Sequence, residues 1–329
     1  MKLEYHLTLL ETYGRLREGR MVILVTGGAG FIGSLLIREL AKEYPGETIR
    51  ILDNMSRETW FALKNLPENA NYELIIGDIR KEEDLRKAMK DVDLVFHLAA
   101  ITNAPLSFER KETTKQVNWI GTKKVAEFAL KNDAKLIYTS TASVYGPTSG
   151  LVKEDHPCKP ASPYAEYKLL GEKEILKLCE QGLKATILRL ATNYGFTPGF
   201  RMEGIVINRF VFRACFGNPI TVYGTGEQKR PFIHVKDSVR ALLFTAKNQE
   251  KMNGEIYNVV GQNLSVNQIV ECIRKFIPKI EVVHIKGTKH LTELSYEMDG
   301  TKIEKLGFKP KFSVEDGIKE LIDKLGGLK

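Results

Sequence analysis

Eight consecutive residues near the start of the chain constrain its fold more than any other feature. The segment Thr26–Gly33 reads TGGAGFIG, and within it Gly28, Gly30 and Gly33 have the spacing GxGxxG. A β-rich run, Val22–Thr26, precedes the segment, and an amphipathic stretch follows it. Glycines in such a turn tolerate unusual backbone angles and let a pyrophosphate approach the backbone, and the next helix points free N–H groups at the negative charge. The sequence therefore predicts a dinucleotide-binding turn.

An acidic residue ends the second apolar run at the distance that such a turn requires. Asp53 closes the run Ile49–Asp53, where a carboxylate about 20 residues beyond the glycines binds the ribose 2′-hydroxyl. A carboxylate there repels a 2′-phosphate, which favours NAD over NADP, although Arg57 is close enough to weaken that preference. The alternative for Asp53 is an ordinary turn residue at a strand end. We predict NAD as the cofactor.

The first half of the chain alternates short apolar runs with longer amphipathic stretches. Strands are predicted at Val22–Thr26, Ile49–Asp53, Tyr72–Ile76, Leu94–His97, Lys135–Thr139 and Ala185–Leu190, and helices at 33–44, Glu82–Lys90, Thr113–Lys131 and Pro163–Gln181. This alternation is typical of parallel βαβ units. It predicts a Rossmann-type α/β fold with a doubly wound parallel sheet, whose ligand binds beyond the carboxyl ends of the strands.

The rhythm changes after Leu190. Residues 191–234 are richer in Gly, Asn and aromatic residues, and helices are predicted near Ile205–Phe216, Val235–Asn248, Val266–Phe276 and Val314–Lys324, with a strand near Glu255–Val259. We therefore expect an N-terminal extension at 1–20, an NAD-binding domain at 21–190 and a smaller substrate domain at 191–329, partly interleaved with the first. The extension carries Leu7, Leu9 and Leu10 between charges, unlike a signal peptide, and is either a peripheral helix or a segment upstream of the core.

Composition narrows the class of partner. The net charge is +8, and the Lys and Arg residues are spread along the chain, which predicts a solvated surface. The alternatives are a nucleic-acid or membrane patch and a positive field that attracts phosphorylated substrates. No stretch reaches the ~20 apolar residues of a membrane span. The four cysteines are far apart, without the spacing of a metal site. We expect a cytoplasmic protein with no membrane, nucleic-acid or metal partner.

A Thr, a Tyr and a Lys form the candidate catalytic set. Tyr164 and Lys168 are four residues apart on a predicted helix, so they share one face. A nearby ammonium and a positive nicotinamide ring would lower the pKa of the phenol from ~10. A phenolate can take a proton from a substrate hydroxyl as hydride leaves the same carbon, and Thr141 can hydrogen-bond that oxygen. Alone the pair could be two surface residues; its weight comes from co-occurrence with the glycine turn.

Together these motifs resemble those of the extended short-chain dehydrogenase/reductase family. Within it the nucleotide-sugar epimerases and dehydratases are most similar, and UDP-glucose 4-epimerase-like enzymes are the nearest. The matching segments are TGGAGFIG at 26–33, Asp53-Asn54, Gly77-Asp78, HLAA at 97–100, Asn118, STASVYG at 140–146, YAEYK at 164–168, Arg189, Tyr194-Gly195, VYGTGEQKRPFIHVKD at 222–237 and YNVVG at 257–261.

The resemblance implies roles for individual residues. The positions implied to contact NAD are Gly27, Gly30, Phe31, Ile32, Gly33, Asp53, Asn54, Asp78, Ile79, Leu98, Ala99, Ala100, Asn118, Tyr164 and Lys168. Those implied to contact the nucleotide sugar are Thr141, Thr192, Asn208 and Arg230, with Arg230 on its phosphates. A homodimer through the helices near 113–131 and 163–181 is also implied. Read from the residues alone, Asp78 either faces the adenine or caps the next helix, and His97 is structural.

The positions after Thr141 distinguish between reactions. The family's 4,6-dehydratases have an Asp-Glu pair there, whereas Ala142 and Ser143 supply neither the acid nor the base that eliminates water. We predict 4-epimerisation of a UDP-sugar through a transient 4-keto intermediate. The alternatives are a 4-keto reductase, a dehydratase or decarboxylase relative, and a non-catalytic NAD-binding regulator. Departures from the family pattern, among them Thr192, Asn208 and Pro231, leave the sugar open.

Overall fold

The computed structural model describes residues 19–148, 150–200, 205–286 and 295–326. Leu7, Leu9 and Leu10 of the predicted extension lie outside the described residues. The strands are β1 (Val22–Thr26), β2 (Thr48–Asp53), β3 (Asn71–Ile76), β4 (Leu94–His97), β5 (Lys135–Thr141), β6 (Leu151–Val152), β7 (Ala185–Leu190), β8 (Thr192–Tyr194), β9 (Ile220–Tyr223), β10 (Lys229–His234), β11 (Ile256–Val259), β12 (Gln262–Ser265), β13 (Val282–Ile285) and β14 (Glu297–Met298).

The helices flank these strands. They are α1 (Gly33–Glu43), α2 (Glu82–Ala88), α3 (Leu106–Glu109), α4 (Lys111–Lys115), α5 (Thr122–Lys131), α6 (Pro163–Cys179), α7 (Val206–Cys215), α8 (Val235–Lys247), α9 (Gln249–Met252), α10 (Val266–Arg274), α11 (Thr301–Glu304) and α12 (Val314–Gly326). Short 3₁₀ turns form at Trp60–Leu63 and Ala142–Tyr145.

A seven-stranded parallel sheet dominates the fold. Its strand order is β11-β7-β5-β4-β1-β2-β3, and every neighbouring pair runs parallel. The order reverses between β1 and β4, and in such a sheet the ligand crevice opens outside the carboxyl ends of the strands at that point. The predicted Rossmann-type, doubly wound α/β fold is confirmed.

Complete burial explains why β1 is apolar at successive positions. Ile23 and Val25 face one core cluster, in which they pack with Leu36 of α1, whereas Leu24 faces a second cluster with Val125 of α5. These three β1 side chains, like Leu36 and Val125, are inaccessible to solvent. A parallel sheet covered by helices on both faces requires this pattern, because neither face meets water.

A smaller layer packs beside the large sheet. Its sheet has the order β12-β10-β8, and α7, α10 and α12 surround a third core cluster. After this layer the chain returns, because β11 pairs with β7 at the edge of the large sheet. Helix α8 likewise contacts α1 and buries Val239 and Leu242 in the core of the large sheet.

The helix predicted over Thr113–Lys131 is interrupted in the structure. A π-helical segment, Gln116–Gly121, separates α4 from α5. Such segments are rare and are often found at functional sites. This one carries the predicted cofactor residue Asn118.

The described residues contain neither a membrane-spanning helix nor a cluster of metal-ligating side chains. None of their helices is both long enough and apolar enough to cross a membrane. In the same ranges, His, Cys, Asp and Glu side chains do not gather in groups of three or more that would hold a metal ion.

Candidate active site

The glycine turn follows β1 and leads into α1 at the carboxyl edge of the large sheet. Gly27 has a positive φ of 72°, and a Cβ added to it would lie 2.8 Å from the backbone nitrogen of Ala99. A Cβ on Gly33 would lie 2.3 Å from the carbonyl oxygen of Gly27. The N-cap of α1 is Ile32, whose apolar side chain cannot accept a hydrogen bond from the N–H groups of the first turn. Bare backbone and an uncapped helix N-terminus are what a pyrophosphate needs, so these residues fit NAD.

Asp53 connects the glycine turn to the end of β2. Its Oδ2 accepts a hydrogen bond from the N–H of Ala29 at 3.0 Å, and its Oδ1 accepts one from Met55 at 2.9 Å. The carboxylate is therefore held in place by two backbone donors, and it is half-buried. Because each carboxylate oxygen has a second lone pair, Asp53 can still accept hydrogen bonds from a ribose.

Asp78 does not cap the helix that follows it, so the capping interpretation is wrong. The N-cap of α2 is Lys81, while the Asp78 Oδ1 accepts the Arg80 N–H at 2.9 Å. The Arg80 guanidinium also bonds both oxygens, and Asn54 Nδ2 donates to Oδ2 at 3.2 Å. Burial favours the neutral acid, but these hydrogen bonds outweigh it and hold the pKa of Asp78 at about 2.

The other predicted cofactor residues lie along the same edge. Phe31 and Ile32 at the start of α1 are half-buried, Ile79 is buried against Gly121, and Leu98, Ala99 and Ala100 are half-buried directly after β4. Asn118 is fully buried, and its amide exchanges two 2.8 Å hydrogen bonds with the backbone of Ile101. Asn118 thus holds the loop after β4 in place through the backbone of Ile101.

His97 is structural, as the sequence indicated. The Thr122 hydroxyl donates to the Asn118 carbonyl, so it accepts from His97 Nε2 at 3.0 Å. The Thr26 hydroxyl then donates to His97 Nδ1 at 2.7 Å. Burial lowers the pKa of His97 to about 3, and the neighbouring Lys168 charge acts in the same direction, so the imidazole is neutral.

Tyr164 and Thr141 meet at the carboxyl end of β5. The Thr141 hydroxyl lies close enough to the Tyr164 phenol to lower its pKa, and the Thr141 Oγ accepts the Ser143 N–H at 3.2 Å. Ser162 caps α6 and Pro163 occupies its first turn, so Tyr164 projects from a rigid helix start. The structure therefore brings together the two hydroxyls that the sequence assigned to one substrate oxygen.

The expected lowering of the Tyr164 pKa by Lys168 is not seen in the protein alone. Burial raises the pKa of Tyr164; the Thr141 hydrogen bond and the Arg57 charge oppose burial, and Tyr296 reinforces it. Lys168 is not among the groups that act on this phenol, because its ammonium lies over the ring of Tyr138 at 4.2 Å from the ring centroid. The two residues share one helix face, as predicted, but the ammonium of Lys168 contacts the ring of Tyr138.

Lys168 is almost completely buried among charged and polar groups. Burial lowers the pKa of its ammonium to about 7, while Glu172, one helical turn further, opposes that shift. Glu172 in turn forms a buried ion pair with Arg189 on β7 at 2.7 Å and accepts a hydrogen bond from Ser140. Glu172 was not predicted as a site residue, because a carboxylate on a helix ordinarily indicates a solvated face.

The residues assigned to the nucleotide sugar occupy different positions. Thr192 on β8 is half-buried, as is Arg230 on β10. Asn208 is fully buried, and its amide pairs with both the N–H and the carbonyl of Gly195 at 3.0 and 2.9 Å. Asn208 therefore stabilises the loop after β8. Both polar atoms of its amide are engaged with the backbone of Gly195.

Tyr296 connects Arg230 on β10 with Ser143 after β5, and it was not predicted. The Arg230 guanidinium lies over its ring at 4.8 Å from the centroid, and its hydroxyl is 3.5 Å from the Ser143 Oγ. It also acts electrostatically on Tyr164. No spacing in the sequence connects Tyr296 to these residues, because the smaller layer brings it there from far along the chain.

A family model and full-length relatives match this chain. The model described as "NAD dependent epimerase/dehydratase family" matches residues 23–260. A UDP-N-acetyl-alpha-D-glucosaminuronate decarboxylase from Bacillus cytotoxicus is 33% identical, with 91% of this chain and 96% of the relative covered. A putative UDP-glucose 4-epimerase from Methanocaldococcus jannaschii is also 33% identical, with 92% and 97% covered.

A solved structure superposes over nearly the whole chain. It is a UDP-glucuronic acid 4-epimerase from Bacillus cereus in complex with UDP-glucuronic acid and NAD. The TM-score is 0.85 at 29% identity, and the match covers 94% of this chain and 100% of the other. Sequence and structure therefore agree on a family of NAD-dependent enzymes, whose members differ in reaction.

Proposed function

We propose, from the premise that this chain belongs to the NAD-dependent epimerase/dehydratase family, that it is a 4-epimerase of a UDP-linked sugar. The relatives include enzymes of more than one reaction, so the reaction has to be argued from the site. The structural neighbour from Bacillus cereus holds UDP-glucuronic acid, which supports a UDP-sugar as the substrate class.

One observation carries the choice of reaction. The neighbouring hydroxyls of Thr141 and Tyr164 can serve one substrate oxygen, while the two positions after Thr141 hold the buried methyl of Ala142 and the hydroxyl of Ser143. Eliminating water requires a separate acid and base, as carboxyl groups provide in dehydratases. Proton transfer at a single hydroxyl is sufficient for epimerisation.

The chain's own residues would perform the proton chemistry at the sugar C4 oxygen. When bound, NAD supplies the capacity to accept and return a hydride at C4. Tyr164 takes the proton of the C4 hydroxyl and returns it, while the Thr141 hydroxyl holds the same oxygen. The sugar passes through a transient 4-keto form, and its rotation before reduction produces the other epimer. No net oxidation occurs.

Arg230 is suited to the diphosphate of the substrate. A guanidinium presents a fixed fork of donors that matches phosphate oxygens. Stacking on Tyr296 fixes the plane of that fork, and Thr192 lies on the strand β8 that pairs with β10. Sugar and phosphates are thus recognised by different layers of the molecule.

The experiment that tests the proposal is incubation of the full chain with single nucleotide sugars. UDP-glucose, UDP-glucuronic acid, UDP-N-acetylglucosamine and dTDP-glucose would each be followed by proton NMR and by absorbance at the nicotinamide band. We expect a 4-epimer of a UDP-sugar, the same equilibrium from either epimer, and no net absorbance change.

The other outcomes contradict the proposal in distinguishable ways. A pentose product indicates decarboxylation, a 4-keto-6-deoxy product indicates dehydration, and stoichiometric consumption of NADPH with a keto sugar indicates a reductase. A complete absence of turnover while NAD is bound would favour a non-catalytic regulator.

A further inference from the structure

Tyr138 is a buried aromatic residue that the proposed chemistry does not use. It lies on β5, three residues before Thr141, and has no solvent-exposed surface. One face of its ring stacks on His97, with ring centroids 5.5 Å apart and an angle of 22° between the planes. The Lys168 ammonium lies over the ring at 4.2 Å from the centroid.

The surroundings hold this ring in one orientation. The Tyr138 hydroxyl lies beneath α6 and donates to the Lys168 carbonyl oxygen at 3.4 Å. A Cβ added to Gly171 would come within 2.8 Å of that hydroxyl, so only a glycine at this position leaves room for it. His97 is itself fixed by Thr26 and Thr122.

We propose that Tyr138 is a positioning residue whose ring holds the Lys168 ammonium protonated and in place, one helical turn from Tyr164. A buried ammonium loses its hydration, and the negative face of an aromatic ring replaces part of it. The proposal rests on the function proposed above and on the NAD contact that the family resemblance implies for Lys168.

Several groups face Lys168 from the elements packed around it. On its own helix these are Tyr164 and Glu172, which favours the charged form. Tyr138 faces it from β5, and neutral His97 lies behind that ring on β4. Arg189 on β7 forms an ion pair with Glu172, which reduces the electrostatic attraction between that carboxylate and Lys168. Within the described residues, the groups in contact with the Tyr138 ring include the Lys168 ammonium and the neutral imidazole of His97.

Two substitutions at Tyr138 separate the ring from the hydroxyl. Tyr138→Leu removes the aromatic face, and Tyr138→Phe, the matched control, keeps it. The measurement is a pH titration of the full chain labelled with ¹³C in its lysine side chains, with and without added NAD. The Lys168 signal is the one that Lys168→Met removes.

We expect Tyr138→Leu to lower the pKa of Lys168 by roughly one unit, the size of a desolvated cation–π contact. The pH above which NAD affinity weakens should move down by the same amount, because the implied cofactor contact Lys168 loses its positive charge there. Tyr138→Phe should keep the wild-type position of both. A Leu variant that titrates like wild type, or a Phe variant shifted as much as Leu, would overturn the proposal. The NMR titration needs no turnover, so it can fail or succeed independently of the reaction.

A second pair of variants covers the case in which Tyr138→Leu does not fold. Gly171→Ala should push the Tyr138 hydroxyl and tilt the ring, which lowers the Lys168 pKa. Tyr138→Phe/Gly171→Ala removes the clashing hydroxyl and should restore the pKa toward wild type. If the double variant is shifted as far as Gly171→Ala alone, the effect does not pass through the ring and the proposal is wrong.

Discussion

At Tyr164 two physical effects oppose each other, and their balance decides what the residue can do. Burial raises the pKa of the phenol, which disfavours the phenolate that proton abstraction requires, whereas the Thr141 hydrogen bond and Arg57 lower it. The positive ring of an oxidised nicotinamide would add to the second set. The protein alone therefore keeps Tyr164 protonated, and its basicity depends on the cofactor.

Removing the phenolic oxygen tests that role directly. Tyr164→Phe should reduce kcat by about 10²–10⁴-fold, the usual size of general acid–base catalysis, because proton transfer at the substrate oxygen is lost. Thermal stability and NAD affinity should change little. Tyr167→Phe is the matched control on the same helix, since its ring stacks on Trp119 away from Thr141. If Tyr164→Phe retains wild-type kcat on the substrate identified by NMR, Tyr164 is not the acid–base group.

At the scale of elements, the glycine turn depends on backbone contacts that no side chain can enter. Gly33→Ala would place a Cβ 2.3 Å from the Gly27 carbonyl oxygen and 2.7 Å from the Gly28 Cα, and backbone atoms cannot move away cheaply. We expect a loss of about 1–3 kcal/mol in the free energy of unfolding. NAD binding should weaken by at least about tenfold, or ~1.4 kcal/mol, because the turn no longer closes on α1.

Gly326→Ala provides the control for that experiment. A Cβ at Gly326 meets nothing within 4 Å, and the residue ends α12. Its thermal unfolding and its NAD affinity by calorimetry should match wild type. Equal loss of NAD affinity in both variants would mean that the Gly33 effect does not arise at the turn.

The elements also show where sequence patterns lose their power. The strands of the large sheet were predictable, because burial on both faces leaves continuous apolar runs such as Val22–Thr26. The strands β8 and β14 were missed, since two or three residues are too few for any period to show. The π segment Gln116–Gly121 was missed because its apolar pattern is that of an ordinary helix.

The candidate site divides in the same way. The proximity of Thr141 and Tyr164 was predictable, because one ends a strand of the large sheet and the other begins the next long helix. The direction of the Lys168 side chain does not, because it depends on the ring of Tyr138, from a different element. Tyr296 reaches the site only through tertiary packing of the smaller layer.

At the scale of the whole molecule, the residues of the proposed site come from two layers. The large sheet carries the glycine turn, Asp53 and the Thr141–Tyr164 pair, while β10 of the smaller layer carries Arg230. We propose a boundary near residue 190 between an NAD-binding and a substrate-binding domain, interleaved because β11 returns to the large sheet. This return ties the two layers together, so in the proposed reaction the substrate phosphates and the reacting carbon would be held by connected layers.

Two buried histidines, one in each layer, make stability fall in mild acid. Burial lowers the pKa of His97 to about 3 and that of His234 to about 4, the latter despite Glu320 at 3.3 Å, whereas an unfolded chain protonates both near 6.5. Between about pH 6.5 and 4 the unfolded state therefore binds more protons than the native state. The free energy of unfolding should fall by up to about 1.4 kcal/mol per pH unit for each histidine as the pH decreases.

Urea unfolding between pH 6 and 5 measures that slope, because in this range the Lys168 ammonium, with a native pKa of about 7, is protonated in both states. This window lies above the range in which Asp78, with a native pKa of about 2, loses its contribution. His234→Gln should roughly halve the slope whatever its effect on absolute stability, because one of the two depressed pKa values is removed. His284→Gln, at an exposed position on β13, should leave the slope unchanged. A flat stability profile in the wild type, or an unaltered slope in His234→Gln, would show that these imidazoles accept protons while folded and that the two cores are less closed than their packing indicates.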